Sequence, residues 1–274
     1  MLKRRDVELD LDPKDVPRDW CHDNAFSTTF LNALSLLFPE GEKFFVDSVK
    51  RHRGKIDDPA LLADIHAFIG QEAMHGKEHR AFNDLMVEHG YDEAPIIDAR
   101  LRKFLGLVKK SLPPLSQLAA TTALEHFTAM LAESLLQNRQ MREELDPSIR
   151  GLWLWHALEE AEHKAVAFDV YQAAGGGYVR RAGIMLLTTA VFFAAQALVH
   201  ARLMADRKIL WKPWTWVRGA TRLWLWPGYF TRLVPAYLSY FRPSFHPNDR
   251  DTEAVLDDWR EKLFGDDGSL RLIA

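Results

Sequence analysis

The run WLWHALEEAEHK, residues 153–164, decides how this chain is read. It sets His156, Glu160 and His163 four and three residues apart. Side chains at those separations share a helix face, so the three fall within about 60° of one another. Outward from this run, the same Glu-x-x-His step occurs at Glu72 and His75. Each step follows a solitary glutamate on a predicted helix, Glu42 by 30 residues and Glu125 by 35. The order reads as two similar helical hairpins in succession. Four helices packed face to face would aim four carboxylates and their imidazoles at one point, as in a dinuclear metal site.

Hydrophobic periodicity supports the helices. Residues 24–53 form the first, with Phe38, Phe45 and Val49 stepping around Glu42 and Pro39 as a predicted kink. Asp58-Pro59 is an N-cap with proline at the first helical position, opening a helix that stops at His89-Gly90. Its inward stripe is Ile65, Phe68, Glu72, His75, His79, Phe82 and Met86. A shorter helix, 95–111, precedes Pro113-Pro114. The next runs from Ser116 to about 144, and Asp146-Pro147 opens another that reaches about Ala174 before three glycines. No strand pattern competes. About 50 residues separate His75 from Glu125, enough for a long crossover.

A single Glu-x-x-His step is common, and a solvated pair explains most of them. Here the carboxylates interrupt apolar stripes, with Glu42 between Phe38 and Phe45 and Glu72 between Phe68 and Phe82. A buried, unpaired carboxylate costs several kcal/mol. Two divalent cations would balance Glu42, Glu72, Glu125 and Glu160, with neutral imidazoles completing the shells. His156 joins the ligand face, the alternative being a core histidine beside Trp153 and Trp155. His79, one turn beyond His75, and Glu162 are candidates for handling protons as acid or base. His126 and Glu159 fall about 100° off the ligand face and are expected to meet other partners.

The set Glu42, Glu72, His75, Glu125, Glu160 and His163 resembles the ligands of ferritin-like di-iron carboxylate proteins. With His156 it is similar to the histidine-rich site of the bacterial arylamine N-oxygenases, over residues 25–170 only. The whole chain resembles a bacterial family described as predicted metal-dependent hydrolases. The resemblance implies an all-α fold, a ferritin-like four-helix bundle with a long crossover and extra C-terminal helices. It implies two iron ions, for which manganese is a substitute, and an enzyme that activates O2 or peroxide; the substrate does not carry over, and the apolar, tryptophan-rich tail is what suggests a small apolar or lipid-like one. No thiolate is at hand to favour softer metals. A dinuclear hydrolase with a bridging hydroxide is the rival reading, and an iron-binding ferroxidase a third.

Composition bounds the remainder. With 274 residues, 47% hydrophobic and 27% charged, the chain can bury a large core, and its net charge of −3 gives no reason to expect nucleic acid. Cys21 is the sole cysteine and Met1–Pro13 lacks an apolar leader, so a cytoplasmic protein is expected, with the inner face of the cytoplasmic membrane as the other location. The dimetal bundle is assigned to 1–177 and an extension to 178–274. Within the extension, Ala182–Ala201 carries no charge, which suits a buried fifth helix or membrane insertion. Arg207 to Asn248 then holds seven basic residues, no acid, and five of the nine tryptophans (Trp211, Trp214, Trp216, Trp224, Trp226). Such a stretch suits peripheral contact with an anionic membrane through 182–242, or a homodimer interface or lid. A last helix is predicted over 250–264.

Overall fold

A computed structural model describes residues 2–9, 11–22, 24–225 and 228–273, leaving Trp226 and Pro227 outside the described residues. The chain is an all-α bundle. Its helices are α1 (Ala25–His52), α2 (Pro59–Glu88), α3 (Ala94–Ser111), α4 (Pro114–Gln137), α5 (Arg139–Glu143), α6 (Pro147–His163), α7 (Val166–Ala173), α8 (Tyr178–Asp206), α9 (Pro213–Trp224), α10 (Val234–Ser239) and α11 (Glu253–Phe264). One strand pairing was not foreseen: β1 (Val7–Glu8) runs antiparallel to β2 (Arg271–Leu272), with Val7 opposite Leu272. Two residues a side are too few for a hydrophobic alternation to register in sequence.

Caps fix where the helices start. The Asn24 side chain accepts from the Phe26 and Ser27 amides, Asp58 from Ala60, and Asp146 from Ser148, with Pro59 and Pro147 at the first helical positions. Each such cap is worth about 1 kcal/mol. Past α2, Gly90 takes φ +82°, the left-handed turn that a helix end favours. Two predicted helices are broken where the sequence read as continuous. Asn138 interrupts 116–144 because its side chain caps α5 through the Gln140 and Met141 amides. The 147–174 segment breaks at Lys164, whose ammonium is pulled aside by Glu133, Thr252 and the Arg250 carbonyl.

In the bundle α1 packs on α2 and α4, while α6 packs on α4 and α2, so four ligand-bearing helices enclose one interior; α3 lies in the crossover. Two apolar clusters fill that interior. One gathers Leu36, Phe82, Met86, Trp153 and Trp155, the other Phe45, Val49, Ile65, Phe68 and Leu118. Each fully buried aromatic or aliphatic side chain contributes about 1.5–3 kcal/mol. The candidate ligands lie along the helices between these clusters, so apolar packing on both sides holds them in place. In the extension, α8 packs on α1 and α4, and α9 on α1. There the Cβ of an alanine at Gly219 would stand 2.1 Å from the Phe26 ring, so only glycine lets α9 approach this closely.

Candidate metal centre

Helix α1 supplies Glu42, α2 supplies Glu72 and His75, α4 supplies Glu125, and α6 supplies His156, Glu160 and His163; all seven are buried. Their ligand atoms form three overlapping groups, each lying within 4.8 Å: Glu42, His75 and His156; Glu72, His75 and Glu160; Glu72, Glu125 and His163. The first and third groups share no residue and so outline two candidate positions, and the second joins them through Glu72 and His75. Glu160 Oε1 stands at the centre, 3.0 Å from His156 Nε2, 3.5 Å from His75 Nδ1 and 3.6 Å from His163 Nε2. His163 Nε2 is also 3.2 Å from Glu72 Oε1 and 3.4 Å from Glu125 Oε2.

The hydrogen-bond network fixes which nitrogen of each ring is free. A carboxylate accepts only, so His75 Nε2–H donates to Glu159 Oε2 at 3.0 Å and leaves Nδ1 as a lone pair. Gln71 Nε2 donates to the Lys3 carbonyl at 2.9 Å, which turns its Oε1 towards His163; Nδ1–H of His163 donates to it at 3.1 Å. For His156 the chain begins in a helix backbone. Pro39 has no N–H, so the Ser35 carbonyl lacks its helical partner, and Asn83 Nδ2 donates to it at 3.3 Å. The Asn83 Oδ1 therefore accepts from Ser35 Oγ at 2.7 Å, and Ser35 Oγ accepts from His79 Nδ1–H at 2.8 Å. His79 Nε2 is then an acceptor, and His156 Nδ1–H donates to it at 2.6 Å. His156 Nε2 is left as a lone pair facing Glu160 and Glu42.

With all three rings neutral, three imidazole lone pairs converge on carboxylate oxygens, acceptors against acceptors; without a cation, protons relieve the clash, since the neighbouring carboxylates raise His75 and His163 above the ordinary imidazole range against burial. Both oxygens of Glu42, Glu72 and Glu125, Oε2 of Glu160, Nδ1 of His75 and Nε2 of His163 have no hydrogen-bond partner among the described residues. A buried polar group left so costs several kcal/mol, more when charged. Cations held between them would offer these atoms partners, and the hard oxygen and imidazole donors fit divalent metal ions. The titration of the cluster tells the same story. Burial, with neighbouring carboxylates, raises Glu42, Glu72 and Glu125 well above the ordinary range. Burial opposes ionisation of Glu160 too, yet the adjacent His163, His156 and His75 hold it well below. His156, buried and beside His75, is pushed down to about 4 and is neutral at physiological pH.

All seven predicted ligands are brought together. His79 is buried and neutral, pushed well below its ordinary value by burial and by His156, and it touches His156 rather than the ligand interior. Glu162, expected as a proton-handling group, is instead gripped by Arg5 at 2.7 and 2.9 Å and by Arg260 at 2.6 Å. Burial would raise it, but those guanidiniums hold its carboxyl below the ordinary range, which suits a fixed anion and not a proton carrier. His126 turns to the Ala236 carbonyl, off the ligand face as expected. Glu159, also expected off the face, supports the site from behind. It bonds His75 behind the ligand atom and is balanced by Arg5 at 3.1 Å. Carboxylate–histidine pairs of this kind orient metal-binding imidazoles. Gln71, Ser35 and Asn83 likewise escaped notice. The adjacency of Glu159 to Glu160 was the available signal; nothing in the sequence marked the others.

A cavity of about 120 Å³ reaches the centre. Its wall includes His156 and Glu160 and is otherwise largely apolar, with Leu34, Phe38, Leu131 and Trp153. Several wall hydroxyls are already spent, Thr128 on the Glu125 carbonyl and Tyr229 on Glu144.

No curated protein and no solved structure matches the chain. A family model does, over residues 3–251, and it spans all seven candidate ligands together with Glu159, Gln71 and Arg5. The chain belongs to the family described as predicted metal-dependent hydrolases.

Proposed function

We propose that this metal-dependent enzyme holds two iron ions, with manganese as the substitute, in a ferritin-like arrangement, and that it oxidises a small apolar substrate with O2 or peroxide. The observation that carries this reading is the donor set, four carboxylates and three imidazole lone pairs without a thiolate, opening on an apolar cavity. When bound, a redox-active pair would supply the electrons that O2 needs. The chain's own part is to hold, orient and dry the site. Glu159, Gln71 and His79 each fix one imidazole, and Phe38, Leu131 and Trp153 keep water from His156 and Glu160. Arg5 and Arg260 neutralise Glu162 and so keep its charge out of the ligand balance.

The family description favours a second reading, a dinuclear hydrolase. Against it, the cavity lining is mostly apolar and the Thr128 and Tyr229 hydroxyls bond elsewhere in the fold, which leaves Ser27 Oγ, without a partner among the described residues, to meet an ester or phosphate. The test is the metal content of protein purified from iron-replete cells, followed by O2 uptake after reduction. Iron near two per chain with O2 uptake is expected. Zinc alone with no O2 uptake overturns the oxidase, and ester cleavage under strict anaerobiosis establishes the hydrolase.

A further inference from the structure

Helix α8 is built inside out. Within its uncharged stretch the larger polar side chains face the bundle: Gln196 donates to the Phe30 carbonyl at 2.8 Å, and His200 Nε2 lies 3.0 Å from Thr29 Oγ1. Arg181 donates to the carbonyls of Tyr240 and Arg242 at 2.6 and 2.8 Å. The outward face carries Leu187, Val191 and Phe193, with Leu186 60% and Leu198 61% exposed. At about 1.5 Å per residue, the uncharged stretch from Ala182 to Ala201 is about 30 Å long. It is not the fully buried fifth helix that is one of the two sequence readings, because one side is bundle and the other is open, and it is long and apolar enough to cross a membrane. The open face continues into the tail, where Trp211 is 89% and Trp214 74% exposed and Leu225, Val234 and Leu238 also face outward.

Cations rim this apolar surface. Three of the seven basic residues between Arg207 and Asn248 are occupied, Arg207 by Asp19, Arg222 by Glu144 and Arg242 by Asp249. The other four, Lys208, Lys212, Arg218 and Arg232, are exposed and enter no salt bridge among the described residues. A monomeric surface seldom leaves a large contiguous apolar patch open. A second copy is a poor cover, since a two-fold contact would set these cations against themselves. Anionic lipid headgroups over a hydrocarbon interior match both the charge and the exposed tryptophans.

The same face leads inward. A cavity of about 170 Å³ is walled by Phe193, Trp224 and Val234 of this surface and by Phe30, Leu34 and Leu131 beneath it. Those last three also line the first cavity, which ends at His156 and Glu160. We propose that α8, α9 and α10 dock on an anionic bilayer and that the two adjacent cavities, which share the Phe30, Leu34 and Leu131 wall, take up the hydrocarbon chain of a membrane lipid. Chain delivery rests on the metal centre as the place of reaction; docking does not.

The test is flotation with vesicles of phosphatidylglycerol and phosphatidylcholine against vesicles of phosphatidylcholine alone. The wild type rises with the anionic vesicles. The variant Lys208→Gln/Lys212→Gln/Arg218→Gln/Arg232→Gln partitions roughly a thousandfold less, at a factor of about five for each cation, and Trp211→Ala/Trp214→Ala also stays below. Circular dichroism melting, unchanged in both, confirms folding. A wild type that stays below, variants that float like it, or a lipid-free dimer that Trp211→Ala/Trp214→Ala dissociates would each overturn docking. For uptake, mass spectrometry of floated, washed protein should find one lipid per chain. Leu131→Trp, which fills the shared wall, or Leu34→Phe if that variant does not fold, should float and retain none. Floating wild type without lipid, or a filled variant that retains it, overturns uptake. None of these readouts uses the metals, so failure of the oxidation reading leaves them unchanged.

Discussion

Gly76 offers a substitution whose effects on stability and on metal binding have opposite signs. It lies in α2 where that helix crosses α1, and a Cβ there would stand 3.2 Å from Glu42 Oε2, 3.7 Å from Pro39 Cα and 3.8 Å from the Pro39 carbonyl. The two proline distances are ordinary contacts, whereas the first requires Glu42 to give by a few tenths of an ångström. In the metal-free protein Glu42 has no hydrogen-bond partner to lose and can yield. Gly76→Ala should then stabilise the chelated protein by up to about 1 kcal/mol, the difference in helix propensity. For a domain of this size that raises the melting temperature by about 2–4 °C. With metal the same shift moves a candidate ligand. A loss of metal affinity of roughly 10–100-fold is expected, the range seen when ligand orientation is disturbed. Competition titration against a chelator reads the affinity, and urea unfolding in chelator reads the stability. Affinity within about twofold of wild type would show that Glu42 is not a ligand.

Two further outcomes follow from the network. Glu159→Gln keeps an acceptor for His75 Nε2–H but removes the charge that Arg5 balances, so metal affinity should fall roughly 10–100-fold in the same titration; unaltered binding would reduce Glu159 to packing. The chelated protein should lose stability as pH rises above about 6.5, in melts with and without chelator. Glu42, Glu72 and Glu125 are raised, and His75 and His163 are raised from 6.5 by their carboxylate neighbours against burial, so the folded state holds protons that the unfolded chain releases. His156 and His79, both lowered, are neutral in either state above that pH and do not offset this. Metal-loaded protein should be flat across the window, and a chelated protein that gains stability there would refute the assignment.

The bundle and the seven candidate ligands were legible because both rest on period. Glu72, His75, Glu160 and His163 fall on one face by arithmetic alone, and the capping pairs Asp58-Pro59 and Asp146-Pro147 announce their helices locally. What supports the ligands was not legible, because it joins distant segments. Lys3 turns Gln71, Arg5 balances Glu159, and Asn83 reaches across to a carbonyl freed by Pro39; no spacing rule connects such pairs. The polarity of α8 was hidden for a related reason. A run of uncharged residues shows its length, and only the packing of Gln196 and His200 on α1 shows which side is left open.

The pairing of Val7 with Leu272 bears on when the centre can come into being. Arg5, two residues before that strand, and Arg260, on α11, both close on Glu162, so the outer support of the site draws on the first and last turns of the described fold. During synthesis the four ligand helices emerge long before residue 272. Arg5 is made before either carboxylate, so Glu159 can find its partners as soon as α6 is complete, whereas Glu162 gains its second guanidinium only when Arg260 follows. Closure of the β1–β2 ribbon is a contact of very high sequence separation and is therefore expected late in folding, and it pins the segment that carries Arg5. Two short strands thus tie the outer support of Glu159 and Glu162 to a segment that follows every ligand helix in the chain.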